Sequence, residues 1–203
     1  MKDPAFTIFL VDDDTRVLNA LSRLLRARNF SLKAFTSAPM FLAEHDGSVP
    51  GCAILDVSMP GLNGLELQQT LTAAGSQRPI IFLTGKGDIP TSVRAMRAGA
   101  IDFLTKPVKE TELLTAIARA EKQDAATRAA IVEIDEIKVR LAMLTPRERE
   151  VLTQVVAGRL NKQIAGDLGT AEKTIKVHRG RVMMKLGVRS VADLVRLTEK
   201  ARI

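Results

Sequence analysis

The sequence predicts an α/β domain with a doubly wound parallel sheet, joined by a helical linker to a smaller all-α domain. In the first part of the 203-residue chain, short apolar runs alternate five times with segments of helical spacing. This alternation is typical of a parallel sheet covered by helices. The last part has helical spacing only, which indicates a separate domain. The predicted boundaries are 1–120 for the α/β domain, 121–143 for the linker and 144–203 for the helical domain.

The strands and helices of the α/β domain follow from residue type and spacing. Runs of β-favouring apolar residues predict five strands, at 7–11, 31–35, 52–57, 80–84 and 102–106. Apolar residues three and four positions apart predict helices at 15–29, 65–75, 91–99 and 111–122, with a weaker pattern at 37–45. In a sheet of this kind, ligands bind beyond the carboxyl ends of the strands.

The linker and the helical domain are predicted from helix-start and helix-stop signals. Residues 121–143 contain no Gly or Pro and predict an uninterrupted helix. Thr145 as N-cap, Pro146 at the first helical position and Glu148 completing a capping box predict the start of the second domain. Four short helices are predicted there, at 146–158, 161–169, 171–187 and 190–201. The first three end in glycine, as expected at a helix C-terminus.

Composition and charge exclude some classes of protein. No apolar run approaches the ~20 residues that span a bilayer, and residues 1–6 lack a signal-peptide core, so we expect a cytoplasmic protein. Cys52, the single cysteine, lies in an apolar run and is expected to be a buried structural thiol. Residues 144–203 carry 13 Lys and Arg against 6 Asp and Glu, which favours a polyanionic partner. A solvated basic surface is the alternative.

Charged and hydroxyl side chains stand at the predicted carboxyl ends of four strands. They are Asp12, Asp13 and Asp14 after the first strand, Asp56 on the third, Thr84 on the fourth and Lys106 on the fifth. Clustered carboxylates repel one another unless a cation compensates them, and oxygen ligands suit Mg²⁺. With such a metal and Lys106 to neutralise phosphoryl oxygens, a carboxylate at this edge could accept a phosphoryl group.

These residues lie in motifs that resemble the receiver domain of bacterial two-component response regulators. The motifs are two acids after the first strand, D-x-x-M-P-x-x-x-G at Asp56, Met59, Pro60 and Gly64, then Thr84, and Lys106-Pro107. The resemblance implies a flavodoxin-like (βα)5 fold and phosphorylation of Asp56 by a partner histidine kinase. The metal ligands that it implies for Mg²⁺ are Asp12, Asp13, Asp56 and the carbonyl of Ser58. It also implies a cis peptide bond before Pro107.

The resemblance also implies a two-state switch. The Thr84 hydroxyl turns towards the phosphoryl group, and an aromatic residue on the fifth strand, here Phe103, rotates inward. Simple core packing is the alternative for Phe103. Only the resemblance selects Asp12 and Asp13 for the pocket; Asp14 precedes the first helix, where a capping role suits it.

An enzyme of the haloacid-dehalogenase phosphatase type is the rival interpretation of the acidic edge. Such enzymes also use an aspartyl-phosphate and Mg²⁺, and they begin with D-x-D-x-T/V. Here the frame that begins at Asp12 ends on Arg16, and the frame from Asp13 misplaces Thr15 and Val17. The pattern therefore favours a phosphorylated regulator that is not an enzyme, with the phosphatase as the alternative.

The third helix of the second domain has one apolar side and one basic side. On a helical wheel, Ile175, Val182 and Leu186 face inward. The residues that project from the other side are Lys173, Lys176, Val177, Gly180, Arg181 and Met184. A basic helix after a short helix and a tight turn suits helix-turn-helix docking in a DNA major groove.

Three motifs in this domain resemble the LuxR-type DNA-binding domain. They are L-T-x-R-E-x-E-V-L at 144–152, N-K-x-I-A at 161–165 and T-I-K-V-H at 174–178. With the receiver, they resemble the FixJ/NarL class of response regulators, nearest to FixJ-type members. The DNA contacts implied by the resemblance are Lys162, Lys173, Thr174, Lys176, Val177 and Arg181. His178 is either a contact or structural. Ala171 stands where a serine cap is frequent, so Thr170 is the alternative N-cap.

The same class implies a homodimer when phosphorylated, with release of the DNA-binding domain for double-stranded promoter DNA. Dimers usually form through the fourth helix and fifth strand, where Arg97 and Asp102 have opposite charges. Val191, Leu194 and Val195 of the last helix either form a second dimer contact or pack in the core. A phospho-switch whose C-terminal domain binds protein instead of DNA is a further alternative.

Overall fold

The computed structural model describes residues 6–85 and 89–201. The prediction about a signal-peptide core depends mostly on residues 1–5, which lie outside this range. The chain divides into two compact units, 1–128 and 129–203. In the described ranges, no helix is both long and apolar enough to cross a bilayer.

The first unit contains a parallel sheet in the strand order β2-β1-β3-β4-β5. Its strands are β1 Thr7–Val11, β2 Ser31–Phe35, β3 Gly51–Asp56, β4 Ile80–Thr84 and β5 Asp102–Thr105. Its helices are α1 Thr15–Ala27, α2 Ala38–Glu44, α3 Gly64–Ala73, α4 Ile89–Arg97 and α5 Glu110–Ala142. The predicted flavodoxin-like, doubly wound fold is confirmed.

The two faces of the sheet belong to separate core layers. Ile8 and Leu10 of β1 pack with side chains of α1 and α5, whereas Phe9 and Val11 pack with side chains of α2 and α3. Because both faces are covered, the inner strands are apolar except at their ends, where Thr7, Asp56 and Thr84 lie, as is usual for parallel sheets. Cys52 is fully buried in the first layer, and this burial raises the pKa of its thiol to about 12, so the thiol is inert.

The last helix of the first unit joins the two overlapping helical segments that the sequence predicts at 111–122 and 121–143. Helix α5 is continuous from Glu110 to Ala142. Asp124 and Arg128 attach it to the loop before β3: Arg128 donates to Asp124 at 2.9 Å and to the backbone carbonyls of Gly47, Ser48 and Val49 at 2.7–3.0 Å. The buried Asp124 carboxylate also accepts the N–H of Gly51 at 3.2 Å. Residues 121–128, which the sequence places in the linker, therefore pack within the first unit.

Replacing Arg128 with alanine should lower the free energy of unfolding of the first unit by about 1–3 kcal/mol, because the buried Asp124 carboxylate loses its guanidinium partner. Chemical denaturation measures the loss, and hydrogen exchange should rise in a peptide that covers 46–52. Lys122→Ala, on the exposed side of the same helix, is the control and should change neither quantity. Equal effects of the two variants would contradict the role of Arg128.

The second unit is helical and has its own core. It contains the end of α5 and the helices α6 Pro146–Val156, α7 Asn161–Asp167, α8 Glu172–Leu186 and α9 Val191–Lys200, as the sequence predicts. The predicted capping box is present: Glu148 N–H donates to the Thr145 hydroxyl at 3.2 Å, and Thr145 N–H donates to the Glu148 carboxylate at 2.9 Å. Gly187 ends α8 in the left-handed region with φ 69°, a conformation that glycine adopts without strain.

Candidate functional site

Three strands bring Asp12, Asp56 and Lys106 together at the carboxyl edge of the sheet. Asp12 follows β1, Asp56 ends β3, and Lys106 follows β5. The Lys106 ammonium lies 2.5 Å from an oxygen of Asp12 and 2.6 Å from an oxygen of Asp56. Both carboxylates are almost wholly buried, so one lysine bridges two buried acids.

The backbone holds the second oxygen of each buried acid. Asp12 accepts the N–H of Asp14 at 3.0 Å, and Asp56 accepts the N–H of Ser58 at 2.7 Å. Burial raises the pKa of Asp12, although the hydrogen bond from Lys106 opposes this effect. Burial alone would lower the pKa of Lys106, but its hydrogen bonds to Asp12 and Asp56 outweigh burial and raise it. Lys106 is therefore a charged ammonium at neutral pH.

Asp13 completes an acidic cluster. Carboxylate oxygens of Asp12, Asp13 and Asp56 lie within 4.8 Å of one another, and Asp13 is exposed to solvent. With all three acids ionised, the single ammonium of Lys106 leaves two negative charges uncompensated. An all-oxygen cluster with an excess of negative charge and one solvent-exposed ligand fits a hard divalent cation such as Mg²⁺.

Asp14 belongs to the helix rather than to the cluster. It is the N-cap of α1, where its carboxylate accepts the N–H of Arg16 at 2.9 Å, and it also pairs with the Arg16 guanidinium at 2.8 Å. The hydrogen bond from the Arg16 side chain lowers the pKa of Asp14 to about 2. The capping role expected for Asp14 is confirmed.

The loop after Asp56 requires glycine at position 64. Gly64 begins α3, and its N–H donates to the carbonyl of Val57 at 3.2 Å. A Cβ atom at position 64 would lie 2.2 Å from the carbonyl oxygen of Asp56, where no side chain can fit without moving the backbone. Met59, in the same loop, is buried in the second core layer. The spacing D-x-x-M-P-x-x-x-G thus has a physical cause, because the helix returns against the strand that carries Asp56.

Thr84 and Phe103 lie on β4 and β5, the two strands that follow Asp56 in the sheet order. Thr84 ends its strand with 1% of its surface exposed, and its carbonyl accepts the N–H of Lys106 at 2.7 Å. Phe103 is half-buried, with its ring centroid 6.1 Å from that of Phe82. The Lys106–Pro107 peptide bond is cis, as the resemblance implies.

In the second unit, α8 has the two sides that its spacing predicts. Ile175, Val182 and Leu186 are buried in the core. The residues expected to project are all exposed: Lys173, Lys176, Val177, Gly180, Arg181 and Met184. Thr174 and Lys162 are exposed too.

Two details of α8 differ from, or refine, the sequence analysis. Ala171 is the N-cap and makes no side-chain capping bond, so Thr170, our alternative, does not cap the helix. His178 is half-buried, and its Nδ1 atom is buried without a hydrogen-bond partner in the described part of the chain.

Two family models cover most of the chain. Residues 8–118 match the response regulator receiver domain, and residues 142–198 match the luxR family of bacterial regulatory proteins. The chain is a two-component response regulator. Its second domain is a LuxR-type DNA-binding domain, so this response regulator controls transcription and is not an enzyme, as the sequence predicts. The phosphatase alternative is thereby set aside.

Known relatives of this response regulator match it over nearly its whole length. It is 46% identical over 202 residues to the response regulator protein TodT of Pseudomonas putida, covering 100% of this chain and 89% of TodT. It is 40% identical to the transcriptional regulatory protein FixJ of Rhizobium meliloti, covering 95% and 94% of the two chains. The solved structure of the response regulator StyR is similar with a TM-score of 0.81 and 47% identity, covering 97% of this chain and 99% of StyR.

The residues suggested for dimerisation have different environments. Arg97 is exposed on α4, whereas Asp102 pairs with Arg119 of its own chain. Val191 and Val195 are half-buried, but Leu194 is fully buried in the core of the LuxR-type domain. Core packing, one of our two interpretations, therefore accounts for Leu194.

Arg179 is not among the site residues that the sequence predicts. It lies on α8 between the buried side and the exposed side, and its guanidinium donates to the side-chain oxygen of Asn161 at 3.1 Å. The one signal in the sequence was its place on the helical wheel, between the apolar side and the basic side. The hydrogen-bond partner could not be predicted, because Asn161 lies 18 residues away in the sequence.

Proposed function

We propose that this response regulator accepts a phosphoryl group on Asp56 from a partner histidine kinase, and that phosphorylation promotes dimerisation and binding to promoter DNA in the cytoplasm. In this proposal, residues 1–120 form the phosphoacceptor domain, 121–143 connect it, and 144–203 bind DNA. The observation that carries the proposal is the contact of Lys106 with both Asp12 and Asp56 inside the acidic cluster.

The chemistry assigned to Asp56 is phosphoryl transfer. One carboxylate oxygen of Asp56 attacks phosphorus while the bond from phosphorus to the donor histidine nitrogen breaks. Lys106, 2.6 Å from Asp56, is positioned to stabilise the oxygens of the incoming group. Mg²⁺, when bound, supplies further positive charge against those oxygens. The residues proposed to hold it are Asp12, Asp13, Asp56 and the carbonyl of Ser58.

Phosphorylation is coupled to the surface through Thr84 and Phe103. The Thr84 hydroxyl hydrogen-bonds the phosphoryl oxygens, and the Phe103 ring moves inward behind it. The half-buried position of Phe103 supports this role, because a ring that is already fully packed has no second position to occupy.

The surface that responds is the face formed by α4 and β5. Ile89, Val93 and Met96 of α4 are exposed apolar side chains on one side of the helix, next to Arg97. Burial of this stripe against a second copy would favour a two-fold dimer. Because Asp102 already pairs with Arg119, an Arg97–Asp102 bond between chains would have to compete with that pair. A two-fold dimer on DNA reads inverted half-sites about one helical turn apart.

The experiment that tests this function compares DNA binding with and without a small acyl phosphate and Mg²⁺. We expect light scattering to show that the treated protein forms dimers. We also expect the treated protein to bind a duplex obtained by in vitro selection more tightly than the untreated protein does. Lys176→Ala should weaken binding, and Arg181→Ala should reduce the salt slope by about one if Arg181 neutralises a phosphate.

Lys200→Ala removes the same charge from a side chain that already pairs with Glu133 at 2.5 Å, so it should leave the salt slope unchanged. Unchanged affinity and mass after phosphodonor treatment would contradict the coupling. A flat salt dependence of the wild type would instead favour a C-terminal domain that binds protein.

A further inference from the structure

The basic side chains of the second unit fall into two groups. In the described part of this unit, some lie within 4.0 Å of a carboxylate, for example Lys185 with Glu148 and Lys200 with Glu133. Others have no carboxylate partner there, and five of these lie on α7 and α8. They are Lys162, Lys173, Lys176, Arg179 and Arg181. Unneutralised charge is therefore concentrated on the two helices of the helix-turn-helix.

Arg179 differs from the other four because it is half-buried and has a fixed neighbour. Its guanidinium makes a single hydrogen bond in the described structure, to the amide oxygen of Asn161 at 3.1 Å. An amide oxygen neutralises no charge, and a guanidinium has five N–H donors in a planar fork. Arg179 thus retains its charge and most of its donors, although partial burial makes an uncompensated charge costly. An anionic ligand with paired oxygens would neutralise the charge and accept from the remaining N–H donors.

The position of Arg179 in the helix-turn-helix indicates that the anion is a phosphate of DNA. Asn161 is the first residue of α7, and the exposed, unpaired Lys162 follows it directly. On α8, Arg179 lies three residues after Lys176, and residues at this spacing are neighbours on a helix surface. The Asn161–Arg179 bond therefore joins α8 to the helix that carries Lys162, and it places a cation at the border of the basic side of α8.

We propose that Arg179 binds a DNA backbone phosphate together with Lys162, and that Asn161 is the residue that positions it. The proposal rests on the proposed function, since it assigns a residue to the DNA interface of that function. A phosphate held jointly by α7 and α8 fixes the register of α8 in the groove without reading a base.

The test measures the salt dependence of binding by the full chain to a duplex of random sequence. Arg179→Ala should reduce the slope of log K against log salt by about one per bound protomer and weaken binding roughly tenfold at low salt. Arg179→Lys retains the charge and should keep the wild-type slope with weaker binding. Lys200→Ala, which removes one already paired charge, should keep both the slope and the affinity.

A double-mutant cycle tests the positioning role. Asn161→Ala should weaken binding in the wild-type background and have no effect in the Arg179→Ala background, because Asn161 acts through Arg179. An unchanged slope in Arg179→Ala, with or without a lower melting temperature, would overturn the phosphate contact. Equal effects of Asn161→Ala in both backgrounds would overturn the positioning role. Failure of the proposed function is distinguishable, because the wild type itself would then show no salt-dependent binding.

Discussion

Asp56→Asn is expected to abolish phosphorylation completely. The variant retains the size and most of the hydrogen-bonding capacity of the side chain, but an amide lacks the anionic oxygen that attacks phosphorus. Intact-protein mass spectrometry after incubation with Mg²⁺ and a small acyl phosphate measures the effect. The wild type should gain one phosphoryl group, and the variant none. An undiminished mass gain in Asp56→Asn would show that a different residue is the acceptor.

The neighbouring acids provide a matched pair of controls. Asp13→Asn removes an exposed carboxylate from the three-acid cluster and should abolish Mg²⁺-dependent phosphorylation. Asp14→Asn removes the adjacent charge, but Asp14 caps α1 and pairs with Arg16, so this variant should affect mainly stability. Equal loss of phosphorylation in both variants would show that the wrong two acids had been assigned to the pocket.

The inner strands were predictable because their burial leaves a strong apolar pattern in the sequence, whereas the largely exposed β2 was predicted from residue type. Strands β1, β2 and β4 have the predicted bounds, whereas β3 begins one residue early, at Gly51, and β5 ends at Thr105. The start of α3 was less accessible: Asn63 and Glu66 form a capping box that the prediction, which began the helix at residue 65, does not include. Helix boundaries depend on such local side-chain bonds, which periodicity does not report.

The candidate site was predictable in its location and less so in its details. Parallel strands place their carboxyl ends at one edge, so the convergence of Asp12, Asp56 and Lys106 followed from topology. Topology did not show that Asp13 belongs to the acidic cluster and Asp14 to the N-cap of α1, because both residues follow the same strand and only their environments differ. The Asn161–Arg179 bond also lay beyond prediction, since no periodicity connects residues 18 positions apart on two helices.

Glu148 connects the start of α6 to the end of α8. Its nearly buried carboxylate accepts from the Lys185 ammonium at 2.6 Å and from the backbone N–H of Thr145 at 2.9 Å. Lys185 donates in addition to the carbonyl of Met143 at 3.1 Å. A single carboxylate therefore completes a helix cap and holds α8, the helix that we propose to contact DNA.

Glu148→Gln should lower the free energy of unfolding of the LuxR-type domain by about 1–3 kcal/mol at pH 7, because the Lys185 ammonium loses its anionic partner. We expect the lower part of this range, because the side chain of Lys185 is 30% accessible to water and the ion pair is therefore partly screened. Chemical denaturation followed by circular dichroism measures the loss. Glu150→Gln, which removes an exposed carboxylate from the same helix, is the control and should cost much less.

The effect of Glu148→Gln should depend on pH in one direction. The hydrogen bond from Lys185 lowers the pKa of Glu148 below its ordinary value of 4.5, so the folded state binds a proton less readily than the unfolded state. The stabilisation is therefore complete above pH 4.5 and is lost as the pH falls through the lowered pKa. The wild type and Glu148→Gln should differ at pH 7 and converge in acid. A difference that persists at a pH well below the pKa would mean that Glu148 acts through packing, and that the ion pair with Lys185 does not hold α8 in place.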